Sequence, residues 1–195
     1  MDARDDTSRA LEELCRRLTA SDRSAFEEIF RRFRDDLVRY VRSVVKREAV
    51  AHDLVQDVFV SLWDTRRRLD PTKPLKAYIY RMARNAAYRH VRDTRTHERK
   101  HEILKRERNG HDPSAGSSDR ELDAGMLADR VRTWIDNLPE RQREALVLSR
   151  YHDLSHREIA AVMDVSPRTV NNHIVRALGH LHERLEAFEP DHLTS

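Results

Sequence analysis

The chain has 195 residues, 36% of them charged, with 6% aromatics and only four glycines. That balance favours helices around small cores over a sheet protein. Cys15, the single cysteine, excludes an intrachain disulfide and fits a reducing compartment, and no run of about 18 apolar residues is available to span a membrane. The net charge of +3 hides a division along the chain. Residues 1–70 are neutral, residues 71–108 carry twelve basic and four acidic side chains, and residues 109–195 carry ten basic and fifteen acidic. Positive charge packed that densely into one stretch is an electrostatic footprint for phosphates.

The first residues, Met1 to Arg9, are acidic and polar, unlike a signal peptide. Residues 8–19 read as a short amphipathic helix, with Cys15 among Leu11, Leu14 and Leu18 as a core residue rather than a reactive one. Residues 22–46 read as a long helix, because Phe26, Ile29, Phe30, Phe33, Leu37, Tyr40, Val41 and Val44 keep one side apolar. A third helix is predicted from about Ala49 to Trp63, with Ala51, Leu54, Val55, Val58, Phe59, Leu62 and Trp63 inside. Away from that side lie Asp53, Gln56, Asp57 and Ser61, an acidic and amide patch that fits either a solvated face or a docking surface for a basic partner.

A polar segment with two prolines, Asp64 to Pro74, leads to a fourth helix from Leu75 to about Arg95. Its expected buried side is Leu75, Tyr78, Ile79, Met82, Ala83 and Ala86. Opposite are Tyr80, Arg81, Arg84, Asn85, Tyr88, Arg89, Arg92 and Arg95. Arginines interleaved with tyrosines suit single-stranded or distorted nucleic acid, with Arg on phosphates and Tyr as a stacking surface. Asn85 can hydrogen-bond a base that has left the stack. These four helices form one predicted domain, residues 8–96.

Residues 97–125 have almost no apolar side chains and read as a charged linker with a frayed helical start. Within it, His97-Glu98-Arg99-Lys100-His101 matches the H-E-x-x-H pattern of zinc peptidases. That chemistry needs a helix packed in a core, a third ligand and a dry cleft. The charged surroundings offer none of these, so neither a metal nor an enzymatic activity is expected.

The second predicted domain covers residues 126–188. One helix holds Val131, Trp134 and Ile135 and is broken by Leu138-Pro139. The next, with Ala145, Leu146 and Leu148, ends near Tyr151. A helix-turn-helix follows. Ser155 and Glu158 form a capping box, Ile159, Ala160 and Met163 give a short apolar side, and Asp164-Val165 makes the turn. Ser166 then caps a helix with Pro167 at its first position. Val170, Ile174, Leu178, Leu181 and Leu185 are its expected buried side. The opposite side offers Arg168, Asn171, Asn172, Val175 and Arg176. Arg pairs with guanine and Asn with adenine in a major groove, and the helix N-terminus, at Pro167 to Thr169, favours a phosphate.

Ala51-His52-Asp53-Leu54-Val55-Gln56-Asp57-Val58-Phe59-Val60-Ser61-Leu62-Trp63 resembles the polymerase-binding helix of the bacterial sigma-70 family. Tyr78-Ile79-Tyr80-Arg81-Met82-Ala83-Arg84-Asn85 is similar to the family's promoter-melting helix, and Leu138-Pro139 through Leu185 to its −35-reading domain. Two domains joined by a linker resemble the extracytoplasmic-function, or group 4, sigma factors. The resemblance implies an all-α fold: sigma region 2 and a helix-turn-helix region 4 on either side of a flexible linker.

It implies roles as well. Asp53, Leu54, Gln56, Asp57 and Ser61 would contact the β′ clamp helices of core RNA polymerase. The 64–74 loop and Asn85 would hold a base flipped from the −10 element, with Tyr80, Arg81, Arg84, Tyr88, Arg89 and Arg92 on the DNA there. Pro167, Arg168, Thr169, Asn171, Asn172, Val175 and Arg176 would read the −35 element while the second domain docks on the β flap. The family further implies a cytoplasmic protein without cofactor and leads one to expect an anti-sigma factor. Many members carry Trp where this chain has Tyr78. A self-sufficient regulator, with the first domain sensing a ligand or dimerising, is the competing function.

Overall fold

The computed structural model describes residues 3–106 and 125–188, and all regular structure among them is helical. The first group comprises α1 (Ala3–Thr19), α2 (Arg23–Val45), α3 (Glu48–Thr65), a 3₁₀ turn (Arg66–Arg68) and α4 (Leu75–Arg106); the second comprises α5 (Gly125–Asp136), α6 (Glu140–Arg150), α7 (His156–Met163) and α8 (Pro167–Phe188). For residues 97–106 and 125–126 only the backbone is described. The predicted linker therefore divides. Residues 97–106 continue α4, since no glycine or proline interrupts a run of good helix formers, whereas residues 107–124 lie outside the described residues.

Local chemistry sets the helix ends. Asp22 caps α2, accepting from the Ser24 and Ala25 amides at 2.8 and 3.3 Å. The Ser24 hydroxyl and the Arg17 guanidinium also bond this carboxylate and hold its pKa at about 2. Lys46 ends α2 in the left-handed region at φ 58°. The Asp70 carboxylate accepts from the Thr72 amide (3.0 Å) and hydroxyl (2.7 Å), shaping the turn that delivers Pro74 to the start of α4.

The apolar stripes of α2, α3 and α4 meet in the first core, built on Ile29, Phe33, Leu37, Val41, Val55, Phe59, Leu62, Ile79 and Ala83. Cys15 is buried there from α1, and burial pushes its thiol pKa up. Phe26 meets Trp63 edge-on, ring centroids 5.2 Å apart. The Arg66 guanidinium lies 4.0 Å from the Trp63 ring centroid and donates to the Ser21 hydroxyl, pinning the chain after α3 to the α1–α2 corner.

The capping box at Ser155 is present: its amide donates to Glu158 Oε2 at 2.8 Å, and the Glu158 amide donates to the Ser155 hydroxyl at 3.3 Å. Asp164 turns the chain in the left-handed region, φ 57°. The Ser166 hydroxyl accepts from the Thr169 amide at 3.0 Å and starts α8.

Two expected buried sides shift. On α4, Tyr80 is fully buried and Tyr78 is 38% exposed, the reverse of the expectation, while Met82 and Ala86 are only half-buried. The cause is tertiary: α7 and its flanks pack on the Tyr80 side of α4, joining both groups in one buried cluster. On α8, Val170, Ile174 and Ala177 form the seam, and Leu178, at 41% exposure, lies off it.

His152 sits where the groups meet, 4% exposed. Burial lowers its pKa to about 4, the main opposing influence being Asp36. A buried neutral imidazole contributes its full stability above the unfolded pKa of about 6.5 and loses it as the solution is acidified toward the folded value. Chemical denaturation between pH 7 and pH 4 is expected to show stability falling by up to about 1.4 kcal/mol per pH unit from this group, a slope that shrinks in His152→Asn.

Candidate nucleic-acid interface

Three surfaces carry the residues singled out by the sequence. On α3, Asp53, Gln56, Asp57 and Ser61 are exposed at successive helical turns and Leu54 is half-buried beneath them. Val60, 57% exposed, adds an apolar spot to the same helix. The neighbouring stretch of α4 lies alongside, and the two helices enclose a groove of about 450 Å³. Leu54, Asp57 and Ser61 line it from α3, and Asn85, Arg89 and His90 from α4.

The basic side of α4 does not stay together. Asn85 and Arg89 face the α3 groove, and Arg81 and Arg92 are exposed. Tyr80, Arg84 and Tyr88 turn toward the second helical group. The 3.6-residue repeat spreads these eight side chains over more than half the helix circumference, so one uniform platform is geometrically excluded.

Arg84 forks onto Glu144 of α6, with Nε donating to Oε1 at 2.8 Å and Nη2 to Oε2 at 3.3 Å. The Tyr40 hydroxyl donates to the same Oε1 at 2.8 Å. The Glu144 side chain is 2% exposed and that of Arg84 13%. Burial, and then the Glu144 charge, push the Tyr40 pKa well up, so the phenol stays a donor. Tyr80 meets His152 through a hydroxyl–Nδ1 contact of 3.1 Å, and their ring centroids are 5.4 Å apart. Tyr40 stacks on both rings at 5.6 and 5.8 Å. Arg84 also covers the Tyr88 ring, 4.6 Å from its centroid. Desolvation raises the Tyr80 and Tyr88 pKa values too. Sequence reasoning missed Glu144 and His152. Their signal was present but weak: an acidic residue at an inward position of a short amphipathic helix, and a histidine directly before the helix-turn-helix.

The third surface is α8. Pro167, Arg168, Asn171, Asn172, Val175 and Arg176 are exposed, Val175 at 58%, and Thr169 is half-buried under the Ser166 cap, with hydroxyls 2.8 Å apart. An exposed apolar residue between Asn and Arg at a free helix N-terminus matches the mixed hydrogen-bonding and methyl-bearing edges of a major groove. Among the described residues no group of three or more His, Cys, Asp or Glu is placed to hold a metal. The side chains of His97 and His101 lie outside the described residues.

Comparison with known proteins agrees with this layout. Residues 29–97 match the family description "Sigma-70 region 2", and residues 128–181 match "Sigma-70, region 4". The RNA polymerase sigma factor NccH of Alcaligenes xylosoxydans xylosoxydans is 25% identical over 180 residues, covering 90% of this chain and 95% of that protein. The RNA polymerase sigma-E factor of Streptomyces coelicolor is 28% identical over 169 residues, covering 85% and 89%. Among solved structures, CnrH in complex with the cytosolic domain of CnrY superposes with a TM-score of 0.66 at 27% identity, over 92% of this chain and 99% of that one. RpoE of Bartonella quintana, solved with the anti-sigma factor NepR, shares the fold at a TM-score of 0.61 and 22% identity, over 84% and 98%. Two sigma regions in the order and spacing of an extracytoplasmic-function factor, each on its own helical group, identify this chain as a member of the sigma-70 family: a promoter-specificity subunit of RNA polymerase.

Proposed function

We propose that residues 8–96 form the unit that docks on core polymerase and opens the −10 element, and residues 126–188 the unit that reads the −35 element, with residues 97–125 connecting them. The observation carrying this reading is the groove between α3 and α4. It joins Leu54, Asp57 and Ser61 to Asn85 and Arg89, so a polymerase docked on α3 would lie beside the side chain proposed to hold a flipped base. A duplex-binding regulator has no use for that juxtaposition.

The division of labour follows from chemistry. Asp53, Gln56 and Asp57, exposed and set one to four residues apart, offer carboxylates and an amide to basic helices of the β′ clamp. Arg81, Arg89 and Arg92 track the −10 backbone, and Asn85 hydrogen-bonds an extruded base, offsetting an unstacking cost of a few kcal/mol. Arg168, Asn171, Asn172, Val175 and Arg176 enter the −35 major groove, with Pro167 and Thr169 at the phosphate nearest the helix N-terminus. Each reader alone binds weakly. Held apart on one polymerase, the second binding event becomes intramolecular and gains from effective concentration.

No catalytic step belongs to this chain, and the nucleotide chemistry is the polymerase's. Its site of action is the cytoplasm, where that partner works; among the described residues no helix is long and apolar enough to cross a membrane. An anti-sigma partner fits the same surfaces, supported by CnrH having been solved with such a cytosolic domain bound.

Reconstitution tests the assignment. Core polymerase plus this chain is expected to open and transcribe a cognate promoter; specific duplex binding without polymerase, and no transcription with it, would reverse the reading in favour of a regulator. Asp53→Lys is expected to abolish holoenzyme assembly in a native gel while the helical circular-dichroism signal is retained. Asn85→Ala should reduce permanganate-detected promoter opening by more than it reduces polymerase binding. Arg168→Ala should cost about 1–3 kcal/mol of −35 discrimination, read as relaxed base preference at one position.

A further inference from the structure

We propose that in the chain free of polymerase the second helical group is an internal cover for α4, with Glu144 and His152 occupying the Arg84 and Tyr80 groups that would otherwise meet nucleic acid. The inference rests on the reading of α4 as the −10 helix.

The cover is built from directional contacts. Both oxygens of Glu144 take the forked edge of the Arg84 guanidinium, at 2.8 and 3.3 Å. A phosphate would use the same edge, because the planar guanidinium presents its paired donors there. Glu144 and a DNA phosphate therefore compete for Arg84. Tyr80 is fully buried, with His152 and Tyr40 against its ring, leaving no face for a base. Around this centre Lys76 donates to the Asp153 carbonyl at 3.2 Å, and Lys46 pairs with Asp136. The charge division in the sequence now has a structural counterpart: residues 71–108, net +8, lie under a group drawn from residues 109–195, net −5.

The packed arrangement is incompatible with engaging both promoter elements. Elements centred near −10 and −35 are about 25 base pairs apart, roughly 85 Å along B-form DNA. Here α4 and α7 are in direct contact, with α8 packed on α7. A chain that touches both elements must part these helices. The α3 patch, by contrast, is exposed in the packed form. The implied order is docking of α3 on polymerase first and uncovering of α4 afterwards.

The test uses the full chain. Glu144→Gln keeps the side-chain shape but leaves Arg84 without its counter-charge. Tyr40→Phe removes one hydroxyl from the same carboxylate and is the milder probe if the first variant loses helical content. Small-angle scattering is expected to give a compact wild type, a larger radius of gyration for Glu144→Gln and an intermediate value for Tyr40→Phe. Binding of a fluorescent single-stranded oligothymidylate should tighten by at least about tenfold in Glu144→Gln, as the covered fraction falls, and less in Tyr40→Phe. A wild type already as expanded as the variants overturns the proposal, and so does expansion without tighter oligonucleotide binding. Assembly with core polymerase is run alongside. Both variants should assemble as the wild type does, and failure of the wild type itself would instead overturn the sigma-domain assignments on which the inference rests.

Discussion

The Glu144 carboxylate is the point on which the relation of the two halves depends. It lies in the second helical group and takes its hydrogen bonds from Arg84 and Tyr40 of the first. At 2% exposure it cannot be hydrated where it stands. Removing one partner from a buried pair of this kind typically costs about 3–5 kcal/mol, much of it the penalty of the stranded charge. Partial separation of the groups is therefore unfavourable, and the packed form should give way as a unit. Full separation differs: it returns Glu144, Arg84 and both tyrosine hydroxyls to water together, recovering the desolvation cost of each. An interface built on a buried ion pair is thus stiff against small displacements but not necessarily strong against complete opening, a combination suited to a two-state arrangement.

What the sequence made legible was local. The helix-turn-helix could be read because its markers act over three or four residues: the Ser155–Glu158 box, the left-handed Asp164 and the Ser166 cap. Each is found with the expected hydrogen bonds. The apolar stripes of α2 and α3 could be read for the same reason. What failed was the assignment of sides on α4, because the partners that decide it are far away in the chain: Glu144 lies 60 residues beyond Arg84, and His152 lies 72 beyond Tyr80. Considered with the first three helices alone, Tyr80 belongs outside. The second group reverses that, and no periodicity within α4 carries the information.

The contrast between α3 and α4 bears on what polymerase must do. A ligand shifts a conformational equilibrium only by its differential affinity for the two states. The α3 patch is exposed in the packed form, so a polymerase that gripped only Asp53, Gln56 and Asp57 would bind packed and parted chains alike and would uncover nothing. The free energy for parting must come from a contact available only after separation. Two candidates meet that condition: a polymerase surface that captures the second group at a distance from the first, and the promoter strands once Arg84 and Tyr80 are released. Docking on α3 localises the chain, and capture of the second group commits it. The weak free-standing DNA binding expected from a net-acidic reading domain then has a physical purpose, since a second group that bound duplex DNA tightly on its own would part from α4 without polymerase and expose the melting helix where no transcription could follow.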